Sequence, residues 1–227
     1  MKINFLTLFP KYFNAFKKES IVNKAIKNKL VKVKIVDFRK FGIGQYKQVD
    51  DIIYGGGQGM LLMVPPIDQA LESLKSRGGY KILVSPQGKK FTQSKAHELS
   101  KLDEITFISG RYEGFDERVV SLVDEELSIG DYVLTGGELP SMVMADAIIR
   151  LVDGVIKKES HELESFEGEG LFDYPQYTRP REYKGMIVPD VLLSGHHAKI
   201  YEWRKKEQYK KTLKNRPDII ERINHEK

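Results

Sequence analysis

Ser128-Ile129-Gly130-Asp131-Tyr132-Val133-Leu134-Thr135-Gly136-Gly137-Glu138-Leu139-Pro140 sets three glycines and a proline around one apolar turn, then passes into a helical pattern. Glycine permits close approaches that side chains forbid, so such a loop can wrap a small ligand with backbone N–H and C=O groups. Two earlier segments are built to meet it: Ile82-Leu83-Val84-Ser85-Pro86-Gln87-Gly88 and Ile108-Ser109-Gly110-Arg111-Tyr112-Glu113-Gly114. Each is a short apolar run ending in small residues, the pattern of a buried parallel strand followed by a ligand-facing turn. Strand ends converging on one pocket are how open α/β sheets bind ligands. A further glycine run, Gly55-Gly56-Gly57-Gln58-Gly59, lacks the Lys-Ser/Thr ending of a phosphate loop, which leaves a tight turn or a substrate-facing loop. General bases are on offer in the stretch 157–173, which carries Glu159, Glu162, Glu164, Glu167, Glu169 and Asp173. Such acids equally serve to solvate a linker.

The elements that position these groups alternate. Strands are expected over residues 3–9, 31–38, 81–84, 105–109 and 126–129, and helices over 11–29, 66–77, 92–101, 115–123 and 139–151. That alternation predicts an α/β domain with a largely parallel sheet. Residues 157–170 are charged and glycine-containing and read as a linker. Residues 172–227 are read as a second, basic and helical domain, with Val191, Leu192, Leu193, Ile200, Trp203, Ile219 and Ile220 available for a small core. Adjacent His196 and His197 make a poor chelate, so a helix start or an RNA contact is the expected role. Trp203 before Arg204-Lys205-Lys206 suits either a core or a stacking patch.

Composition narrows the classes. With no cysteine, disulfides and thiolate metal sites are excluded. No apolar run is long enough to span a bilayer, and the N-terminus lacks a signal-peptide pattern, so a cytoplasmic location is expected. The excess of 37 Lys and Arg over 32 Asp and Glu is modest, but it is unevenly placed. Residues 199–227 hold ten basic and five acidic side chains, an excess equal to that of the whole chain. Residues 11–40 hold another ten basic side chains against Glu19 and Asp37 alone. Two basic regions flanking an acidic one suit a polyanionic partner, although lysines that merely coat helices give the same count.

SPQG, GRYEGFDER and SIGDYVLTGGELP, in this order and spacing, closely resemble the bacterial tRNA (guanine-N1)-methyltransferases that modify nucleotide 37, members of the SPOUT class. VDDIIYGGGQGM and PQYTRPREYKG extend the resemblance over nearly the whole chain. The resemblance implies an α/β fold comprising a SPOUT domain over residues 1–156 with a deep trefoil knot at about 81–152. A flexible linker or lid follows at 157–171, then a small, mostly helical tRNA-binding domain at 172–227. It implies S-adenosylmethionine as methyl donor and tRNA as substrate. A homodimer is implied too, because SPOUT sites are usually completed across the subunit interface. The cofactor is expected at Ser85, Pro86, Gly88, Gly110, Tyr112, Glu113, Ile129, Gly130, Asp131, Tyr132, Val133, Leu134, Gly136, Gly137 and Pro140. Family members use Mg²⁺; Glu113 is the acid closest to that role, and no ligand is assigned. Asp50, Gly57, Gly59 and Ser165 are expected to meet the RNA, Asp50 by accepting from a base amino group. Glu164-Ser165-Phe166 stands where the family usually has Asp-Ser-Phe, which makes Glu164 the implied base, with Asp173 as second candidate. Arg150 matches the arginine that faces guanine O6. Two other readings remain open at this point, a SPOUT ribose 2′-O-methyltransferase and an RNA-binding module without catalysis.

Overall fold

The computed structural model describes residues 1–157 and 164–225, with the backbone alone at residues 76 and 77. It divides into two compact units, residues 1–156 and 157–227. The first contains β1 (Lys2–Thr7), α1 (Phe13–Lys18), α2 (Ser20–Lys27), β2 (Lys32–Asp37), β3 (Asp50–Ile52), β4 (Met60–Leu62), α3 (Val64–Glu72), β5 (Tyr80–Lys90), α4 (Gln93–Ser100), β6 (Glu104–Ser109), β7 (Glu125–Ser128) and α5 (Glu138–Ile149). The second contains β8 (Glu182–Tyr183), β9 (Met186–Ile187), α6 (His197–Asn215) and α7 (Pro217–His225).

Five strands form one sheet in the order β2-β1-β6-β5-β7, with every pairing parallel. The predicted mixed α/β class with a parallel central sheet is therefore present. Alternate side chains feed two cores, as a sheet covered on both faces requires. Ile3, Phe5, Ile82, Val84, Ile105 and Phe107 pack with residues of α1, α2, α4 and α5. Leu6, Leu83 and Ile108 pack on the other side with Phe38, Ile67, Leu71 and Val119. Phe5 anchors the first core, with its ring 4.4 Å from that of Phe13 and 5.7 Å from that of Phe107.

Several expected elements change in form. The helix expected over 11–29 is two helices, broken where Ser20 takes φ 54°. That expected over 115–123 is a 3₁₀ turn, Glu117–Leu122, started by Asp116 accepting from Arg118 N. The strand expected to end at residue 84 continues to Lys90. Val84 and Lys89 both face Leu127, so Ser85-Pro86-Gln87-Gly88 is looped out of a running strand as a bulge. Pro86 has no N–H to offer the ladder and is tolerated in such a bulge. Residues 172–196 are not helical: they carry the β8–β9 hairpin and a 3₁₀ turn, Asp190–Leu193. Lys184 and Gly185 turn that hairpin with φ 52° and 78°, the left-handed pair that a two-residue turn needs.

In the second unit, Thr212, Ile219 and Ile220 are buried. Trp203 is half-buried with its ring 6.4 Å from that of Tyr177, and Arg204 lies 4.5 Å over the ring of Tyr174. His196 caps α6 and His197 opens it, so the expected helix start is observed. Among the described residues no helix is long and apolar enough to cross a membrane.

Gly88 holds the bulge against its neighbour. A Cβ there would lie 2.5 Å from Leu127 N and 2.6 Å from Glu126 C, and both are backbone atoms that cannot turn aside. Gly88→Ala is expected to cost about 1–3 kcal/mol by overpacking, read as a lower midpoint in urea with an unchanged slope.

Candidate active site

The bulge of β5 and the C-terminal ends of β6 and β7 surround a cavity of about 410 Å³. Three segments line it: Ser85, Pro86 and Gln87 from the bulge, residues 110–117 after β6, and Ile129, Gly130 and residues 132–137 after β7. Leu61, Val120, Glu126 and Pro140 complete it at the edges. Of the residues expected at the cofactor, Ser85, Pro86, Gly110, Tyr112, Glu113, Ile129, Gly130, Tyr132, Val133, Leu134, Gly136, Gly137 and Pro140 all line this one cavity. Gly88 and Asp131 are not in the lining; Gly88 has the packing role described above, and Asp131 is exposed on the loop.

The segments after β6 and β7 are joined backbone to backbone. Gly137 N donates to Gly110 O at 2.9 Å. A Cβ on Gly137 would stand 2.7 Å from Gly110 N, so the two loops touch backbone to backbone. Ser109 and Ser141 hydroxyls meet at 2.9 Å, and Ser141 Oγ donates back to Gly137 O at 2.6 Å. Ser128 Oγ donates to Gly130 O and accepts from Gly130 N, which shapes the exit from β7. Asp116 accepts two side-chain bonds from Arg118, and these hold its carboxyl below the usual range although burial acts the other way. An engaged, anionic Asp116 is a cap and not a base.

The glycine run enters the same site. β3 and β4 form an antiparallel hairpin around it. β4 docks on the segment after β6: Glu113 N donates to Met60 O at 3.1 Å, Leu62 N to Gly114 O at 2.9 Å, and Asp116 N to Leu62 O at 2.9 Å. Gly59 takes φ 87°, and a Cβ there would collide with the Glu113 side chain. The hairpin thus carries Gly59 against Glu113 at the cavity, with Gly57 exposed further out on the tip and Asp50 at its base opposite Leu62.

Arg150 lies elsewhere in the unit. It caps the C-terminus of α5, whose first residue is Glu138 beside the cavity. Twelve helical residues span about 18 Å, more than an arginine side chain can cover. One chain therefore does not bring Arg150 to its own cavity along α5.

Glu164, Ser165 and Asp173 belong to the second unit and share one turn. Ser165 Oγ accepts from Asp173 N at 2.9 Å, and Phe166 N donates to Leu171 O at 2.8 Å. The Phe166 and Phe172 rings meet edge-on at 5.5 Å. Asp173 accepts from Tyr174 N and Gln176 Nε2 at 2.7 Å each, one bond to each carboxylate oxygen. Glu159, Glu162 and part of the expected linker fall outside the described residues. Among the described residues no three His, Cys, Asp or Glu side chains gather as a metal site.

Two charged residues at the heart of the site are absent from the set of expected ligands. Glu138 is fully buried; it accepts from Thr7 Oγ1 at 2.7 Å and faces Arg111 Nε at 2.9 Å, as an ion pair rather than an aligned hydrogen bond. Arg111 Nη1 donates to Thr135 O at 3.0 Å. The only sequence signal for the pair is a charge set among glycines in each motif.

A parallel sheet whose strand-end loops wrap a cavity of this size defines an α/β enzyme that binds a small ligand at the strand termini. The profile of the tRNA (Guanine-1)-methyltransferase TrmD family matches residues 1–222, and the chain belongs to that family. Proteins with the name tRNA (guanine-N(1)-)-methyltransferase align over their full lengths and all of this chain. The one from Mycoplasmopsis agalactiae is 77% identical over 227 residues, that from Mycoplasmopsis synoviae 66% over 227, and that from Mycoplasmopsis pulmonis 62% over 228.

The Thr7 bond is the part of the buried network that can be removed without changing charge. Thr7 Oγ1 also accepts from Phe9 N at 2.9 Å. Thr7→Val is expected to cost about 1–3 kcal/mol, because a buried carboxylate loses a donor. Urea unfolding of the variant at pH 7 measures this.

Proposed function

We propose that the protein is a homodimeric, cytoplasmic enzyme that methylates N1 of the guanine at nucleotide 37 of tRNA, with S-adenosylmethionine as donor. The observation that carries the reading is the junction of three family motifs in one cavity, onto which the glycine hairpin of the substrate loop is docked. A volume of about 410 Å³ lies within the roughly 300–1,000 Å³ usual for cofactor-sized ligands. Its lining fits the group: exposed backbone from glycine-rich loops for the polar edges, and Ile129, Val133 and Leu134 for a flat apolar ring. When bound, S-adenosylmethionine supplies an electrophilic methyl on a sulfonium, a good leaving group.

The chain's own residues must supply the rest. Guanine N1 carries a proton at neutral pH and is a poor nucleophile until it leaves. Glu164 accepts that proton as general base. Negative charge then grows on O6, where the Arg150 guanidinium stabilises it. Asp50, Gly57, Gly59 and Ser165 hold the RNA. Asp173, whose carboxylate accepts from Tyr174 N and Gln176 Nε2, is the second candidate for that base.

A dimer follows from the length of α5. Leu139, Val143, Asp146 and Arg150 recur at the spacing of one helix face. Leu139 and Val143 on it are 49% and 52% exposed, and Val133 beside the cavity is 83% exposed. Covering this face with a second chain buries the apolar patch and brings Arg150 of one protomer toward the cavity of the other. The family to which the chain belongs supports the reading that residues 81–152 are threaded as a trefoil knot. The basic second unit supports a tRNA-binding domain after a linker.

Mass spectrometry of nucleosides from tRNA incubated with enzyme and cofactor should reveal 1-methylguanosine. Its absence, or a ribose 2′-O-methyl product, rejects the reaction. Glu164→Gln keeps size but removes basicity, so single-turnover methylation should fall at least about a hundredfold with cofactor affinity unchanged. A normal Glu164→Gln enzyme beside a dead Asp173→Asn enzyme moves the base to Asp173. For the dimer, inactive Arg150→Ala and Gly136→Val subunits mixed together should regain activity, since one chain still offers an intact cavity and the other an intact arginine. No recovery in verified heterodimers contradicts the shared site.

A further inference from the structure

The loop after β7 has little of its own to hold its shape. Residues 131–135 are all exposed, so burial of apolar surface cannot account for their conformation. One side chain meets this segment and its helix from outside. Arg111 Nη1 donates to Thr135 O at 3.0 Å, and its Nε faces the buried Glu138 at 2.9 Å. Its side chain also fills the space where residue 136 would carry a Cβ; that atom would stand 2.6 Å from Arg111 Cζ. Arg111 itself is held from behind. Its guanidinium lies 4.4 Å over the Phe9 ring and 5.2 Å from the centre of Tyr12, and those two rings support each other at 6.2 Å.

We propose that Arg111 is a positioning residue for the cofactor: by joining the Thr135 carbonyl, Gly136 and Glu138 in one contact, it sets the shape of the loop that wraps the ligand. The inference rests on the reading of the cavity as the S-adenosylmethionine site. The chemistry suits arginine alone. A planar guanidinium pairs its charge with a carboxylate and donates to a carbonyl while presenting its face to an aromatic ring. Lysine keeps the charge that Glu138 requires, but its single ammonium cannot make the three contacts together. The same geometry explains residue 136: it is glycine because the arginine clamp occupies the side-chain space.

The test is calorimetry of S-adenosylhomocysteine, the product the donor leaves after methyl transfer, whose binding needs no tRNA, on the full-length wild type and on Arg111→Lys. Loss of a hydrogen bond from a charged donor corresponds to roughly a ten- to hundredfold weaker Kd. In turnover, the KM for S-adenosylmethionine should rise by the same factor while kcat at saturating donor and the KM for tRNA stay near wild type. Hydrogen exchange at the amides of residues 132–135 should quicken, with β1, β5 and β6 amides unchanged. Wild-type affinity in a folded Arg111→Lys protein, with only the melting temperature lowered, overturns the proposal and leaves Arg111 a buried ion-pair partner. If Arg111→Lys does not fold, Phe9→Leu is read in its place. Phe9 does not line the cavity, yet losing the ring under the guanidinium should weaken binding roughly two- to fivefold, and unchanged affinity there overturns the clamp. A wild type that binds no S-adenosylhomocysteine at all fails the assignment of the cavity, a result distinct from either.

Discussion

A carboxylate buried at the first turn of α5 organises this site. Glu138 has no solvent contact, and a charge in that position is tolerable only if it is paired and hydrogen-bonded. Its partners come from two other strand ends: Thr7 closes β1 and Arg111 follows β6. The helix N-terminus adds its own favourable field for an anion. Apolar groups of the same volume would suit stability as well, since a buried ion pair is often no better than good packing. They could not fix direction. The guanidinium must point one way to pair with Glu138, and its Nη1 then reaches Thr135 O. The loop between β7 and α5 is in this sense shaped by an electrostatic requirement in the core.

The remaining contacts of the site make sense around that point. Gly110 and Gly137 touch because the two chain segments must converge where Arg111 and Glu138 pair. The hairpin of β3 and β4 then hydrogen-bonds to the segment just beyond, from Glu113 to Asp116.

Much of this was legible in the sequence where a local rule governs. Runs such as Ile105-Thr106-Phe107-Ile108 announce a buried strand, and the three glycine-rich motifs announced the cavity that they line. What escaped was set by partners distant in the chain. The bulge at Ser85–Gly88 exists because β5 rejoins β7 after four looped-out residues, and nothing in residues 80–90 names that neighbour. The break at Ser20 depends on one left-handed φ of 54°, which serine does not advertise. The apolar residues of 115–123 are spaced as for a helix, but Asp116 starts a tighter turn. The Arg111–Glu138 pair joins residues of separate motifs, and each looked like part of its own glycine turn. In the second unit residues 172–227 were read as a mostly helical domain, whereas Lys184-Gly185 is a hairpin turn with its own local signature.

The length of α5 separates the two halves of the proposed chemistry. Its first turn belongs to the cavity, and Arg150 stands at the other end, about 18 Å away. The helix is apolar on its buried side and also leaves Leu139 and Val143 about half exposed. If two such helices from two chains cover each other in antiparallel fashion, the start of one lies beside the end of the other. The cavity at the start of each then receives the arginine from the end of its neighbour. Such an arrangement needs no movement of the sheet and no lengthening of any side chain. It also accounts for the placement of donor and charge-stabilising groups on one rigid element: their separation is fixed by the helical rise, and a symmetric pair of helices converts that fixed separation into proximity.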